Sequence, residues 1–213
     1  MKYLIVVTLL FYLQTSVFAQ DSSEKKELPV CAVVGFVNEL KNDQWRDARV
    51  GMGVRAMLTQ AIHETGLFRM LEEKEVVADA LDKIVDRNWK GNSDKKKSKE
   101  TIVLLTSEGA RFIASGRVYY FGKPRTRASV GPVHIASDEV VLKLEVKLYD
   151  THKKKTLSAV GTGKAKTTAS STFFTFHGES LDTDKSMVAT ATRKAIGEAV
   201  TEIVKKYRKK YKH

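Results

Sequence analysis

Cysteine is almost missing from this 213-residue chain. Cys31 stands alone, so no disulfide can close within one copy. Long apolar runs are missing as well. The longest is Leu4–Leu13, about ten residues, where a membrane-spanning helix needs roughly twenty. No helix is therefore expected to cross a bilayer. Catalytic spacing is missing too. His63-Glu64 opens a zinc-protease pattern, but position 67, where its second histidine belongs, is Leu67. Gly161-Thr162-Gly163-Lys164 resembles a phosphate loop, yet Ser158 and Ala165 occupy the positions that need glycine and Ser/Thr. That segment reads better as a strand with permissive glycines. Asp79, Asp82 and Asp86 are interleaved with Lys83 and Arg87, the pattern of a solvated helix face. No metal, cofactor or catalytic set is expected, and an enzyme is the least favoured class.

What is present begins with a leader. Lys2 precedes the apolar run, and Val17 and Ala19 occupy the small-residue positions of a cleavage site, so a signal peptide is expected over 1–19. Removing 19 of 213 residues leaves 194, enough for one domain. The full chain carries +12, and losing Lys2 lowers this to +11. Such a balance points to anionic partners. Export argues against nucleic acid and leaves an anionic envelope surface, a polymer or an acidic protein. Cys31 lies twelve residues past the cleavage point, in a strand-like run, and reads as a small buried hydrophobe.

Periodicity orders the rest. Gln20–Pro29 is a loose leader segment. Val30–Val37 is a continuous apolar run, the signature of a strand buried on both faces. Ala48–Thr65 carries a helical stripe of Val50, Val54, Met57, Leu58, Ala61 and Ile62, ended by Gly66. Leu67–Leu71 is a short strand. Glu72–Arg87 is a second helix, with Val76, Val77, Ala80, Leu81, Ile84 and Val85 on one side. Asn88–Glu100 reads as a solvated loop, followed by a short helix around Ile102–Leu105. Arg111–Phe121, Asp138–Tyr149 and Thr156–Thr168 are strands, the second alternating strictly. A closing helix covers Lys185–Tyr207, and 208–213 is a basic tail. The fold expected is α/β (α+β): a single mixed sheet flanked by helices, with the domain over 30–207.

These segments, in this order, resemble the CsgG-like curli-secretion family. The resemblance is carried by Ala32-Val33-Val34-Gly35-Phe36-Val37-Asn38, Gly51-Met52-Gly53, Thr65-Gly66-Leu67-Phe68-Arg69-Met70-Leu71-Glu72, Gly109–Val118, Val141–Asp150 and the alanine-rich last helix. It implies a periplasmic α/β domain and a ring of subunits, each adding β-hairpins to an outer-membrane barrel. The hairpins correspond to 119–139 and 166–186, with Tyr119, Tyr120, Phe121, Phe173, Phe174 and Phe176 as membrane-contact candidates. Lys123, Pro124, Arg125, Arg127 and Pro132 fit such a hairpin only at a loop tip or facing a lumen, since a cation in lipid costs roughly 2–4 kcal/mol.

Two departures stand against the resemblance. The lipid-bearing cysteine of the channel proteins is absent. The loop after the first strand is short, with Asn42 and Trp45 in place of the family's constriction residues, and the constriction is not carried over. Trp45 and Trp89, read in polar loops, are candidate partner anchors with Asn42. Lys205, Lys206, Arg208, Lys209 and Lys210 are candidates for an anionic surface. The expected partners are further copies of the chain, other envelope proteins or an exported polypeptide. The alternative is a soluble periplasmic accessory protein on the same fold.

Overall fold

A computed structural model describes residues 27–40, 48–90, 94–130, 133–171 and 180–211. The expected leader over 1–19, Asn42, Trp45, Phe173, Phe174 and Phe176 lie outside these residues. The chain runs β1 (Val30–Asn38), α1 (Ala48–His63), β2 (Arg69–Met70), α2 (Glu75–Trp89), α3 (Lys95–Ser107), β3 (Phe112–Gly122), β4 (Arg125–Val130), β5 (Val133–Asp150), β6 (Lys155–Ser171) and α4 (Ser180–Tyr211).

The strands form one mixed six-stranded sheet, ordered β2-β1-β3-β5-β4, with β6 on the other side of β5. β1 is parallel to β2 and β3, and the remaining pairs are antiparallel. Helices α1 and α4 bury one face of the sheet. Val54, Leu58 and Ile62 of α1 and Ala191, Ala195, Ile196 and Ala199 of α4 meet Val33, Phe36, Ala114 and the even-numbered residues Val140–Leu148. On the other face, α2 and α3 bring Val77, Leu81, Ile84 and Leu105 onto Ala32 and Ile113. The fold is thus the helix-flanked mixed sheet expected from periodicity, and Cys31 is fully buried within it. Burial pushes its thiol up to about 12.

Several boundaries move. α2 begins at Glu75 and runs on to Trp89. Its buried stripe is Val77, Leu81, Ile84, Val85, Asn88 and Trp89, which leaves Val76 off the stripe and 72% exposed. Trp89 is therefore not a loop anchor. It is fully buried beneath α1, where a Cβ on Gly51 would lie 2.7 Å from its Cγ. That contact accounts for Gly51, while Gly53 faces open space. The expected loop over 88–100 gives its first two residues to α2 and its last six to α3, whose first turn is capped by Asp94 accepting from the Lys96 and Lys97 amides. The last helix continues through Tyr211, so residues 208–211 are helical rather than a tail.

Helix α4 lies unusually close to β6. A Cβ on Gly161 would fall 1.9 Å from the Ala195 carbonyl oxygen, and one on Gly163 would fall 1.7 Å from that of Ala191. The two glycines read as permissive strand positions are the seats of the helix. α4 also satisfies the outer backbone of this edge strand. The Thr162 amide donates to Glu198 at 2.7 Å, and Lys194 and Lys206 donate to the carbonyls of Lys164 (3.2 Å) and Ser158 (2.6 Å). Such blunting keeps an edge from pairing with another chain.

Candidate assembly site: the ribbon beyond the core

The last row of the sheet that α4 buries is Val140 opposite Ala165. Beyond it the sheet continues as a three-stranded ribbon of β4, the start of β5 and the end of β6. β4 takes over the place of β3 beside β5. The hand-over is made at Lys123-Pro124, where the Glu139 amide donates to the Pro124 carbonyl at 3.0 Å. Proline is tolerated there because that position supplies only an acceptor. Val130 pairs with Val133, so β4 and β5 are joined by a two-residue connection, Gly131-Pro132.

Successive residues of a strand fall on opposite faces, and directly opposed residues share one. The register therefore sorts the ribbon into two sets of rows. One set, continuous with the core-facing rows of β5, holds Arg125, Asp138 and Thr167, then Arg127, Ala136 and Ala169, then Ser129, His134 and Ser171. The intervening set holds Thr126, Ser137 and Thr168, then Ala128, Ile135 and Ser170, then Val130 and Val133. Every charged residue beyond Glu139 and Lys166 falls in the first set. The second set has none. Arg125 and Arg127, which looked incompatible with a lipid-facing hairpin, share one face with each other and with Asp138.

The base of the ribbon is shaped by an irregularity in β3. Register with β5 shifts between Val118 and Tyr120, leaving Tyr119 as a bulge. A bulge inverts the facing of everything after it. Val118 and Phe121 both serve the core side, whereas Tyr120 is 45% exposed on the opposite face. There Lys143 lies 5.3 Å from the Tyr120 ring, and Arg117 lies 5.5 Å from that of Tyr119. Arg117 also bonds Glu145 at 2.7 Å and Glu39 at 3.2 Å, tying β3 to β5 and to the residue that follows β1. Hydrogen bonding to Glu145, then the charge of Glu39, raises its pKa further. Of the six aromatics expected to meet a membrane, Tyr119, Tyr120 and Phe121 are described; among these only Tyr120 is well exposed, and all three belong to the body's edge of the ribbon.

Of the second expected hairpin, over 166–186, residues 172–179 lie outside the described residues. Residues 166–171 pair with β5, and residues 180–186 are helical. Lys166-Thr167-Thr168-Ala169-Ser170-Ser171 shows no apolar–polar alternation, and its pairing with β5 is a long-range fact that one sequence does not display.

The basic residues of α4 lie at the opposite end of the molecule. Lys205 pairs with Glu202, and Lys206 is engaged with Ser158. Arg208 and Lys209 are exposed, and Lys210 lies 5.9 Å from the Tyr211 ring. This end is anchored by Asp150, which is 1% exposed. Burial opposes its charge, but the Lys153 amide, the Tyr211 hydroxyl and the His152 amide, with the nearby Arg111 charge, outweigh that and lower its pKa. Burial and the Asp150 carboxylate together push Tyr211 up to about 12. Tyr211 stacks on Tyr207 at 4.8 Å, and both rings meet Phe112 edge-on. From Val133 to Asp150 is the length of an 18-residue strand, about 56 Å. The basic end and the ribbon tip are therefore far apart, and no one flat surface is expected to meet both.

Among the described residues, no cluster of three or more His, Cys, Asp or Glu could hold a metal. No described helix is long and apolar enough to cross a membrane.

The family model described as "Curli production assembly/transport component CsgG" matches residues 13–212. No curated protein matches the chain. Among solved structures, a PelC dodecamer from Paraburkholderia phytofirmans is similar at 12% identity and a TM-score of 0.39, covering 80% of this chain and 85% of that one. The hypothetical protein CT253 from Chlamydia trachomatis is similar at 12% identity and a TM-score of 0.40, over 84% and 95% of the two chains. The lipoprotein GNA1162 from Neisseria meningitidis is similar at 14% identity and 0.35, over 85% and 99%.

Proposed function

The chain belongs to the CsgG family, and from that premise we propose that it is an exported, non-enzymatic envelope component. It assembles with copies of itself at the outer membrane and serves the assembly or secretion of a polypeptide or surface polymer. The leader over 1–19 sends it out of the cytoplasm, and the domain that follows works from the periplasmic side.

One observation carries this reading: the ribbon's charged and uncharged residues fall on separate rows. An uncharged face of Ala128, Val130, Val133 and Ile135 backed by a face with Arg125, Arg127 and Asp138 is the alternation of a strand between lipid and a wet lumen. A three-stranded ribbon cannot enter lipid alone, because its two outer edges leave amides and carbonyls without partners, and only a closed barrel satisfies them. The outer edges of β4 and of 166–171 pair with no other strand among the described residues. Neighbouring copies would supply the missing pairs, which makes oligomerisation a requirement of this function.

A second reading rests on length. β4 has six residues, and a membrane strand needs about 9–11. A ribbon that stops short of spanning would suit a soluble accessory protein docked to an envelope machine. Cell fractionation followed by native mass measurement separates the two. A detergent-extracted multimer from the outer membrane supports the first, and a monomer released entirely with the periplasm overturns it.

A further inference from the structure

The face covered by α2 and α3 is closed over the start of β1 and β3 and hollow further along. Val77, Leu81 and Leu105 pack on Ala32 and Ile113. One row on, a cavity of about 240 Å³ opens between the two helices and the strands. One water needs about 10–15 Å³, so the space takes an organic group. A bulge shapes its floor. Val33 pairs with Ala114 and Gly35 with Ser115, which leaves Val34 as the extra residue, and Gly35 takes φ +110°. Residues three apart in a regular strand face opposite ways. The bulge instead brings Val34 and Val37 into the lining of one cavity.

We infer that this cavity binds one apolar residue of a polypeptide, with the side chain inserted and its peptide unit held. The inference deepens the assembly and secretion reading above, and rests on it for the source of that polypeptide. Apolar contacts come from Val34, Val37, Ile84 and Ile102. Polar ones come from the amide of Asn88, in the last turn of α2, and the hydroxyl of Ser115 on the floor. Asn88 is 6% exposed, and its Oδ1 has no hydrogen-bond partner among the described residues. Leaving a buried acceptor unpaired is costly, and an N–H arriving through the cavity would satisfy it. The terminal torsion of asparagine is soft, so the amide can turn its oxygen to the ligand. A peptide unit carries one donor and one acceptor. Asn88 accepts from the first, and Ser115 donates to the second.

Charge at the mouth decides against an ionic ligand. Arg117 and Lys147 stand there with Glu39. Arg117 bonds Glu145 at 2.7 Å and Glu39 at 3.2 Å, and Lys147 lies 3.6 Å from Glu145. Two cations thus meet two carboxylates, and a phosphate or a free carboxylate finds no surplus charge to pair with. An uncharged amide bearing a branched apolar group needs none. Size points the same way. The volume lies below the roughly 300–1,000 Å³ of sites for drug-sized ligands, which suits one residue held while its chain passes outside.

The test uses the full chain and N-acetyl-photoleucine amide, a blocked leucine with a diazirine on its side chain. Irradiation is expected to mark residues 84–88 and 98–102, read by peptide mass spectrometry, and excess N-acetyl-leucine amide should suppress the marks. Ile102→Trp, which fills the cavity from α3, should cut labelling of 84–88 at least about tenfold, a change of about 1.4 kcal/mol. Asn88→Leu should cut labelling comparably yet melt at or above the wild-type temperature, because it replaces an unpaired polar group with an apolar one of similar size. An amide kept only for structure would make that variant melt lower. Labelling spread over the whole surface, labelling unchanged in both variants, or a lower melting temperature for Asn88→Leu overturns the inference. So does a diazirine fatty acid that marks the same stretches more strongly, which would give the cavity to an acyl chain. An outer-membrane multimer without these marks overturns the inference and leaves the ribbon-based reading standing. A monomer released with the periplasm but marked as expected keeps the inference and overturns that reading.

Discussion

Replacing Gly163 with alanine tests how closely α4 is seated on β6. The added Cβ would sit 1.7 Å from the Ala191 carbonyl oxygen and 2.6 Å from its carbon. Those are backbone atoms of a 32-residue helix, so no side-chain rotation relieves the overlap. A carbon and an oxygen need about 3.2 Å, so α4 must withdraw from β6 by roughly 1.5 Å; overpacking of a well-packed core costs about 1–3 kcal/mol. Backbone on both sides argues for the upper end. Withdrawal would also lengthen the contacts that Glu198 and Lys194 make to the edge of β6. For a chain of this size, each kcal/mol lowers the melting temperature by about 2–4 °C. Gly163→Ala is thus expected to melt about 6–12 °C below the wild type, followed by circular dichroism. Gly53→Ala is the control, since that position is helical with nothing within 4 Å, and it should stabilise by about 0.5–1 kcal/mol. A Gly163→Ala protein melting within about 1 °C of wild type would refute the reasoning.

Other perturbations probe separate parts. Arg55→Ala removes the donor to the Val33 carbonyl at 2.9 Å and the ion pair with Glu73, at a side chain 14% exposed. A loss of about 1–3 kcal/mol in denaturant unfolding is expected. Asp150 has a pKa lowered by folding, so the stability it contributes is complete above the unfolded value near 4 and is lost as pH falls through the folded one. Acid titration should show wild type losing stability below about pH 4 more steeply than Asp150→Asn, which starts less stable at neutral pH. Ile135→Lys places a cation in the uncharged rows of the ribbon. It should lower the membrane-bound fraction by at least about tenfold, consistent with 2–4 kcal/mol for a charge facing lipid, while the melting temperature of the body stays unchanged.

Much of the body was legible from period alone. Val30–Val37, the stripe of α1 and the alternation from Val140 to Leu148 each bury one kind of surface, and local spacing records that directly. Trp89 misled because its neighbours Lys90 and Gly91 look like loop. Its spacing of i+4 from Val85 and i+8 from Leu81 was the signal that it closes the stripe of α2. α3 was hidden by the lysines that fill its first two turns, and Asp94 was its one local mark. The ribbon was harder. Arg125, Arg127 and Pro124 read as loop composition, although Arg125, Arg127 and Ser129 already alternate with Thr126, Ala128 and Val130. Which strand they pair with depends on contacts distant in sequence. So does the bulge at Tyr119, which decides that Tyr120 faces outward and Phe121 inward.

We propose that this family member works as a multimer whose ribbons meet the outer membrane. Native mass measurement of the full chain, extracted in detergent from separated inner and outer membranes, tests it most directly. A discrete multimer in the outer-membrane fraction is expected. A protein found only as single copies in the osmotic-shock fluid would contradict it.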